Sequence, residues 1–338
     1  MHKLLREWRQ FLLPSALPHG LSMMIKSLLG ALAISFASAA MPSLAATPAK
    51  TALQIKAQKT ALFDVVEAGG KMVAVGERGV VMHSSDEGQS WSAVRTPSNR
   101  TLTSVAFHSA SVAVAVGHGG TVMRSEDAGQ TWQMVPVPEI GTDAILGLLA
   151  RKNGKLIAWG AFGMYLESSD AGKTWQKTPV IREDFDRHIS QVIEFGDKLL
   201  LVGETGTLAM SSDEGTTWSE LSSPYEGSYF GAVAPPDGSL LVFGMRGKIF
   251  RSTDGGASWT SVVIPSTSAI NGGWVDPTGR VVLVGNNGLI AISKDHGQSF
   301  TLGKAPEGLP LARGRLTKDG GVLYVGYLST GTLRMQEK

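Results

Sequence analysis

The sequence predicts an all-β chain, a seven-bladed β-propeller built from four-stranded antiparallel blades. Three observations predict it. First, a glycine that ends an apolar run recurs at Gly76, Gly117, Gly160, Gly203, Gly244, Gly285 and Gly326, at spacings of 41, 43, 43, 41, 41 and 41 residues. Second, an eight-residue box of the form S-x-D-x-G-x-[ST]-[WF] follows six of these glycines, and five of the eight tryptophans occupy its last position. Third, the 41 glycines, the 18 % charged residues and the lack of helix-forming stretches suit many short strands joined by tight turns. A period near 42 with four β-rich runs per unit is that of a propeller blade. Such a sheet cannot bury both faces alone, and radial repetition lets each blade cover its neighbours.

Residues 1–45 stand apart from the repeats. Lys26 precedes a short apolar stretch, Leu28 to Ala37, and Ser43-Leu44-Ala45 forms an A-x-A-like cleavage signal. The stretch is too short to span a bilayer, so the segment reads as a secretory leader with an extended front. It carries four cations against one acid, so the formal +2 of the chain becomes about −1 for residues 46–338. No basic stripe remains to suggest nucleic acid. The expectation is a protein exported across an inner membrane into a periplasm, or into a thylakoid lumen in a photosynthetic host. With no cysteine, disulfides, thiol catalysis and cysteine-held metals are excluded.

Within a unit the order is strand, hairpin, strand, G-x-x-G turn, strand, box, strand. The second unit illustrates it, with strands expected near Leu102–Phe107, Val112–Val116, Thr121–Ser125 and Thr131–Val135. The box aspartates, Asp86, Asp127, Asp170, Asp213, Asp254 and Asp295, are placed to accept backbone N–H groups in the last hairpin. The box glycine there supplies φ > 0. The aromatics Trp91, Trp132, Trp175, Trp218, Trp259 and Phe300 are expected to wedge between blades. One carboxylate per box is too few for a calcium loop, and no metal or cofactor is implied. The last unit stops after one strand beyond Gly326, so a strand near Leu53–Lys59 is expected to complete it.

The box is similar to the Asp-box, or bacterial neuraminidase repeat. Together with V-x-V-G-x-x-G, seven uniform units and a leader, it resembles the photosystem II stability/assembly factor family. The resemblance implies a non-enzymatic scaffold on the lumenal or periplasmic side of a membrane, with an arginine-rich patch on one propeller face. Its partner would be a protein, a membrane protein or its exported segment, with no nucleic acid and no small-molecule substrate. Alternatives are a sialidase-like glycoside hydrolase and an accessory protein of a periplasmic export system. The first lacks the Phe/Tyr-Arg-Ile-Pro motif and has Tyr229 and Tyr327 as nucleophiles by location alone.

The face shared by the G-x-x-G turns and the inter-blade loops is the candidate binding surface, because its residues differ between blades while the framework repeats. The turn candidates are Arg78, His118, Phe162, Glu204, Arg246, Asn286 and Tyr327. Arg187, His188, Tyr229 and Arg313 lie near the same rim. The longest loop, Gln176 to His188, offers Phe185 as an exposed contact. The inner strands are expected to begin near Asp64, Ser104, Gly147, Gln191, Gly231, Gly272 and Gly314.

Overall fold

The computed structural model describes residues 55–334, and the leader call on residues 1–45 lies outside them. Seven antiparallel sheets follow one another in chain order, six of four strands and the last of three. Blade 1 runs Leu62–Ala68, Lys71–Gly76, Val81–Ser84 and Ser92–Val94. In the second blade the strands Leu102–Phe107 and Thr121–Ser125 fall where the sequence puts them, and the outermost shrinks to Gln133–Met134. Each inner strand packs beside the inner strand of the next blade, and that of blade 7, Leu311–Leu316, returns to that of blade 1. The sheets therefore close into a ring.

The core lies in seven seams rather than inside the blades. The second strand of every blade is buried along nearly its whole length, as in Ala113–Gly117 or Val281–Gly285. Alternate residues face opposite seams: Met72 and Ala74 join Leu323 and Val325 of blade 7, while Val73 and Val75 join Val105 and Ala115 of blade 2. Two-sided burial explains why these runs are continuously apolar instead of alternating. One seam cluster exists for each pair of neighbours, and the box aromatic of a blade always joins the seam with the preceding blade.

The seventh seam differs from the expectation. The segment meant to complete blade 7 forms a 3-10 turn at Ala57–Lys59, and residues 53–54 lie outside the described range. Among the described residues its tie to the last strand, Ser329–Leu333, is a hydrogen bond from Thr330 Oγ1 to the Ala57 carbonyl at 3.4 Å, with no strand ladder. Lys56 and Ala57 carbonyls are instead taken by Lys59 and Thr60 within the turn itself. Among the described residues, side chains join blade 7 to blade 1: Leu323 and Val325 in the apolar cluster, Arg313 to Asp64 at 3.4 Å, and Arg315 to Glu67 at 2.8 Å.

Candidate binding face

The box shows first which face is structural. Asp127 accepts from Thr131 N at 2.8 Å, Thr131 Oγ1 at 2.5 Å and Ser125 Oγ at 2.8 Å, and Ser125 Oγ in turn accepts from Gly129 N at 2.8 Å. The same pattern is built at Asp86, Asp170, Asp213, Asp254 and Asp295. The Ser90, Thr131 and Ser258 hydroxyls hold Asp86, Asp127 and Asp254 at about 2, well below the ordinary carboxylate value. At Asp170 and Asp295 partial burial opposes the shift, yet the hydrogen bonds prevail and the value is again about 2. Trp91, Trp132, Trp175 and Trp218 donate their indole N–H to the box glycine carbonyl at 2.9–3.3 Å. These aspartates and four indoles are hydrogen-bonded within their own turns, so the box acts as a brace.

The opposite face collects the G-x-x-G turns, the inter-blade loops and the first residues of the inner strands. Turn and loop touch through backbone bonds such as Gly120 N to Asp143 O, Gly163 N to Arg187 O and Gly206 N to Gly227 O, all at 2.9–3.0 Å. The residue two after the turn glycine takes a left-handed conformation: Arg78, Phe162, Thr205, Arg246, Asn287 and Leu328 lie at φ 49–57°, and Gly119 at 68°. The residue one after the glycine varies: His118, Met245 and Tyr327 are exposed, whereas the two glutamates at this position turn inward. Glu77 Oε1 accepts from Ala61 N at 3.1 Å, and Glu204 Oε2 from His188 N at 3.0 Å, each sealing the entry to an inner strand. The sequence candidates mix these two positions. Arg78, Phe162 and Arg246 project, whereas Glu204 and Asn286 are tied down, Asn286 accepting from Asn271 Nδ2 at 2.9 Å.

Exposure sorts the remaining candidates. Phe162 is 60 % exposed with its ring edge-on to His188 at 5.1 Å, Tyr327 is 53 % exposed, and Arg78, His118 and Arg246 are exposed. His188 Nδ1 lies 3.3 Å from Glu204 Oε2, and Arg187 Nη1 donates to Thr207 Oγ1 at 3.3 Å. Among the described residues, Arg78, Arg100 and Arg246 have no acidic partner. Tyr229 departs from expectation. It is fully buried, its hydroxyl is 2.9 Å from Ser223 Oγ, and burial pushes its pKa up, so it reaches no partner and makes a poor nucleophile. Phe185 is likewise buried in the seam of blades 3 and 4, capped by Arg182 at 5.6 Å, because the loop folds back over apolar surface.

Sequence reading missed one recurring device. Every inner strand carries a register shift at its second residue. A bulge leaves that residue unpaired and re-aims its side chain. The seven bulged residues are Phe63, Thr103, Leu146, Ser190, Phe230, Asn271 and Ala312, and together with Thr101, His118 and Arg313 they line a cup of about 230 Å³ at the mouth of the central channel. The channel below holds about 440 Å³. In two blades the residue after the bulge reaches sideways: Asp64 Oδ2 accepts from Val105 N at 3.1 Å, and Gln191 Oε1 from Ala232 N at 2.9 Å, stitching blade 1 to blade 2 and blade 4 to blade 5. In blade 7 the equivalent of Asp64 is Arg313, not Gly314, since the shift falls between Leu311 and Arg313. A second hollow of about 660 Å³ lies on this face between Ser223–Gly227 and Met245–Arg246.

Residues 143–301 match the model of the photosynthesis system II assembly factor YCF48, and residues 49–188 that of the DUF6242 β-propeller domain. This chain resembles the photosystem II assembly-factor propellers. Among solved structures, "YCF48 bound to D1 peptide" superposes with a TM-score of 0.69 at 18 % identity, covering 84 % of this chain and 94 % of that one. YCF48 from Cyanidioschyzon merolae gives 0.63 at 16 %, covering 81 % and 95 %. A streptogramin B lyase gives 0.70 at 13 %, covering 84 % and 96 %, which shows how far the fold outruns any one activity. No curated protein matches the chain.

Proposed function

We propose that this chain is a non-enzymatic binding and assembly scaffold that holds a protein segment, from a membrane protein or its exported part, on the face bearing the G-x-x-G turns. The observation that carries the reading is the asymmetry of the two faces. On the box face the aspartates brace their own turns. On the turn face Arg78, Arg100 and Arg246 stand without acidic partners, beside the exposed rings of Phe162 and Tyr327. Arginine and aromatic side chains suit protein recognition because they combine contact area with directed hydrogen bonding. A bulky residue held in the left-handed region while exposed, as Phe162 is at φ 54°, is strain of the kind that collects at binding sites. A similarly folded propeller, YCF48, is described as bound to a D1 peptide, which supports a peptide-like partner for this chain. The leader-like residues 1–45 support action outside the cytoplasm.

The test is affinity capture from detergent-solubilised membranes of the native host, comparing the wild-type chain with the Arg78→Ala/Arg246→Ala variant. Enrichment of one membrane or exported protein by the wild type, and its loss in the variant, is the expected result. Equal capture by both refutes this face as the contact surface.

A further inference from the structure

We propose that the cup ringed by the seven bulged residues is an anchor pocket for one large apolar side chain of an acidic, extended peptide segment. The inference rests on the scaffold reading and names what that face recognises. Four of the ring residues, Phe63, Leu146, Phe230 and Ala312, are apolar. Two of the polar ring members, Thr103 and Asn271, are already engaged. Thr103 Oγ1 donates to the Ile145 carbonyl at 2.7 Å, and Asn271 Nδ2 to Asn286 Oδ1 and the Leu311 carbonyl, both at 2.9 Å. Arg313 is neutralised by Asp64 at 3.4 Å and donates to the Asn271 and Ala312 carbonyls. The cup thus offers four apolar side chains beside polar ones, with no uncompensated charge among the described residues, and an ionised group would lose water there without gaining a partner.

Size narrows the occupant further. A cavity of about 230 Å³ is smaller than the roughly 300–1,000 Å³ of small-molecule and cofactor sites, and it is too confined for a helix. One side chain is the unit that fits, and buried apolar anchors of that size dominate many interfaces.

Charge and ring geometry supply the rest. Arg78 projects from blade 1 and Arg246 from blade 5, and in a ring of seven no two blades lie farther apart. A segment that meets both guanidiniums must cross the channel mouth, where the cup opens. Arg100, on the loop between blades 1 and 2, lies along the start of that path, its side chain lying over Gly119. An acidic segment spanning the mouth therefore brings its central residue over the cup, and a large apolar residue there completes the contact.

The experiment is selection of short random peptides on the immobilised full chain, followed by affinity measurement of selected peptides by fluorescence anisotropy at several salt concentrations. The expected consensus is one Phe-, Leu- or Trp-like residue flanked by Asp and Glu. Changing that residue to Ala in the peptide should weaken binding by about tenfold or more. Ser190→Trp, which fills the cup, should remove the apolar preference while keeping the acidic preference and the salt dependence. Ala312→Phe fills the cup from another blade and serves the same purpose should the first variant fold poorly. Arg78→Ala/Arg246→Ala should do the reverse, flattening the salt dependence. Selected peptides that are acidic but indifferent to the central residue, and unaffected by either cup-filling variant, overturn the anchor pocket and leave the scaffold standing. Recovery of no consensus on a folded wild-type protein overturns both.

Discussion

If the ring is held by seams, a box glycine and the side chain it covers in the preceding blade are coupled. The pair Gly88 and Leu323 tests this at the closing seam. Gly88 sits at φ +86°, and a Cβ built on it would lie 2.5 Å from Leu323 Cδ1. Gly88→Ala therefore carries about 1–2 kcal/mol for a left-handed alanine and about 1–3 kcal/mol for overpacking. Leu323 is fully buried, so Leu323→Ala should cost about 2.7–5 kcal/mol. In the double variant the alanine methyl finds the space vacated by the leucine, and the overpacking part is relieved. The total should fall short of the sum by about 1–3 kcal/mol, while the backbone part persists. Urea unfolding of the four proteins measures the cycle, and thermal melting reads it as about 2–4 °C per kcal/mol in large domains. Additivity to within about 0.5 kcal/mol would refute the contact as the source of the cost. The same cycle at Gly297 and Leu241, where the Cβ would lie 2.2 Å from Leu241 Cδ2, should behave alike inside the ring.

Other outcomes follow from single sites. Trp132→Phe keeps an aromatic in its seam but removes the indole bond to the Gly129 carbonyl, and should cost about 1 kcal/mol in urea unfolding, beyond the change in packing. Glu204→Ala strips the acceptor from His188 N and should cost about 1–3 kcal/mol, whereas Glu204→Gln should recover part of it through its remaining carbonyl oxygen. Arg78→Ala and Arg246→Ala, at exposed turn tips, should each stay within about 0.5 kcal/mol of wild type in stability while weakening capture of the partner. Asp86, Asp127, Asp170, Asp254 and Asp295 are held at about 2 in the folded ring, below their ordinary value near 3.8, and Asp213 is lowered by the same pattern of hydrogen bonds. A depressed folded-state pKa stabilises above the unfolded value and loses that contribution as pH falls through the folded one. Acid unfolding should therefore be steepest between about pH 4 and pH 2, with Asp127→Asn shallower in that window, as followed by near-ultraviolet circular dichroism.

The ring was legible because a propeller writes its framework once per blade. The turn glycine, the box and the aromatic recur because the same seam contact recurs, so Trp91 and Trp132 point to the same role without any alignment. What did not recur was harder to read. The bulge at Phe63, Thr103 or Asn271 leaves no residue signature, since a bulge constrains the backbone and admits phenylalanine, threonine and asparagine equally. Tyr229 looked available because it starts an inner strand, but the bulge turns Phe230 toward the mouth and leaves Tyr229 inside the seam with Phe250. Phe185 sat in a charged loop, and hydrophobic burial overrode that local composition. The closing strand was inferred from a count of strands, whereas Ala57–Lys59 meets its backbone needs in a local turn.

These two kinds of residue divide the molecule by face. The groups that repeat act sideways: box glycines press on the preceding blade, and His83, Arg124 and Arg251 reach the box backbone of the next blade at 2.8–3.0 Å. Asp64, Gln191 and Asn271 stitch three of the seams along the inner strands, and His83, Arg124 and Arg251 brace three at the box end, so these contacts lie away from the turn tips. Positions free of a structural duty can differ between blades, which is why arginine, phenylalanine, threonine and leucine all occupy one backbone geometry there. On the proposed scaffold reading, a ring that fixes seven such tips and seven bulged residues in place would meet a partner without reordering itself, so the entropy lost on binding would fall mainly on the partner. A scaffold of this kind suits partners that are extended and unfolded before capture, because the preformed face supplies the order they lack.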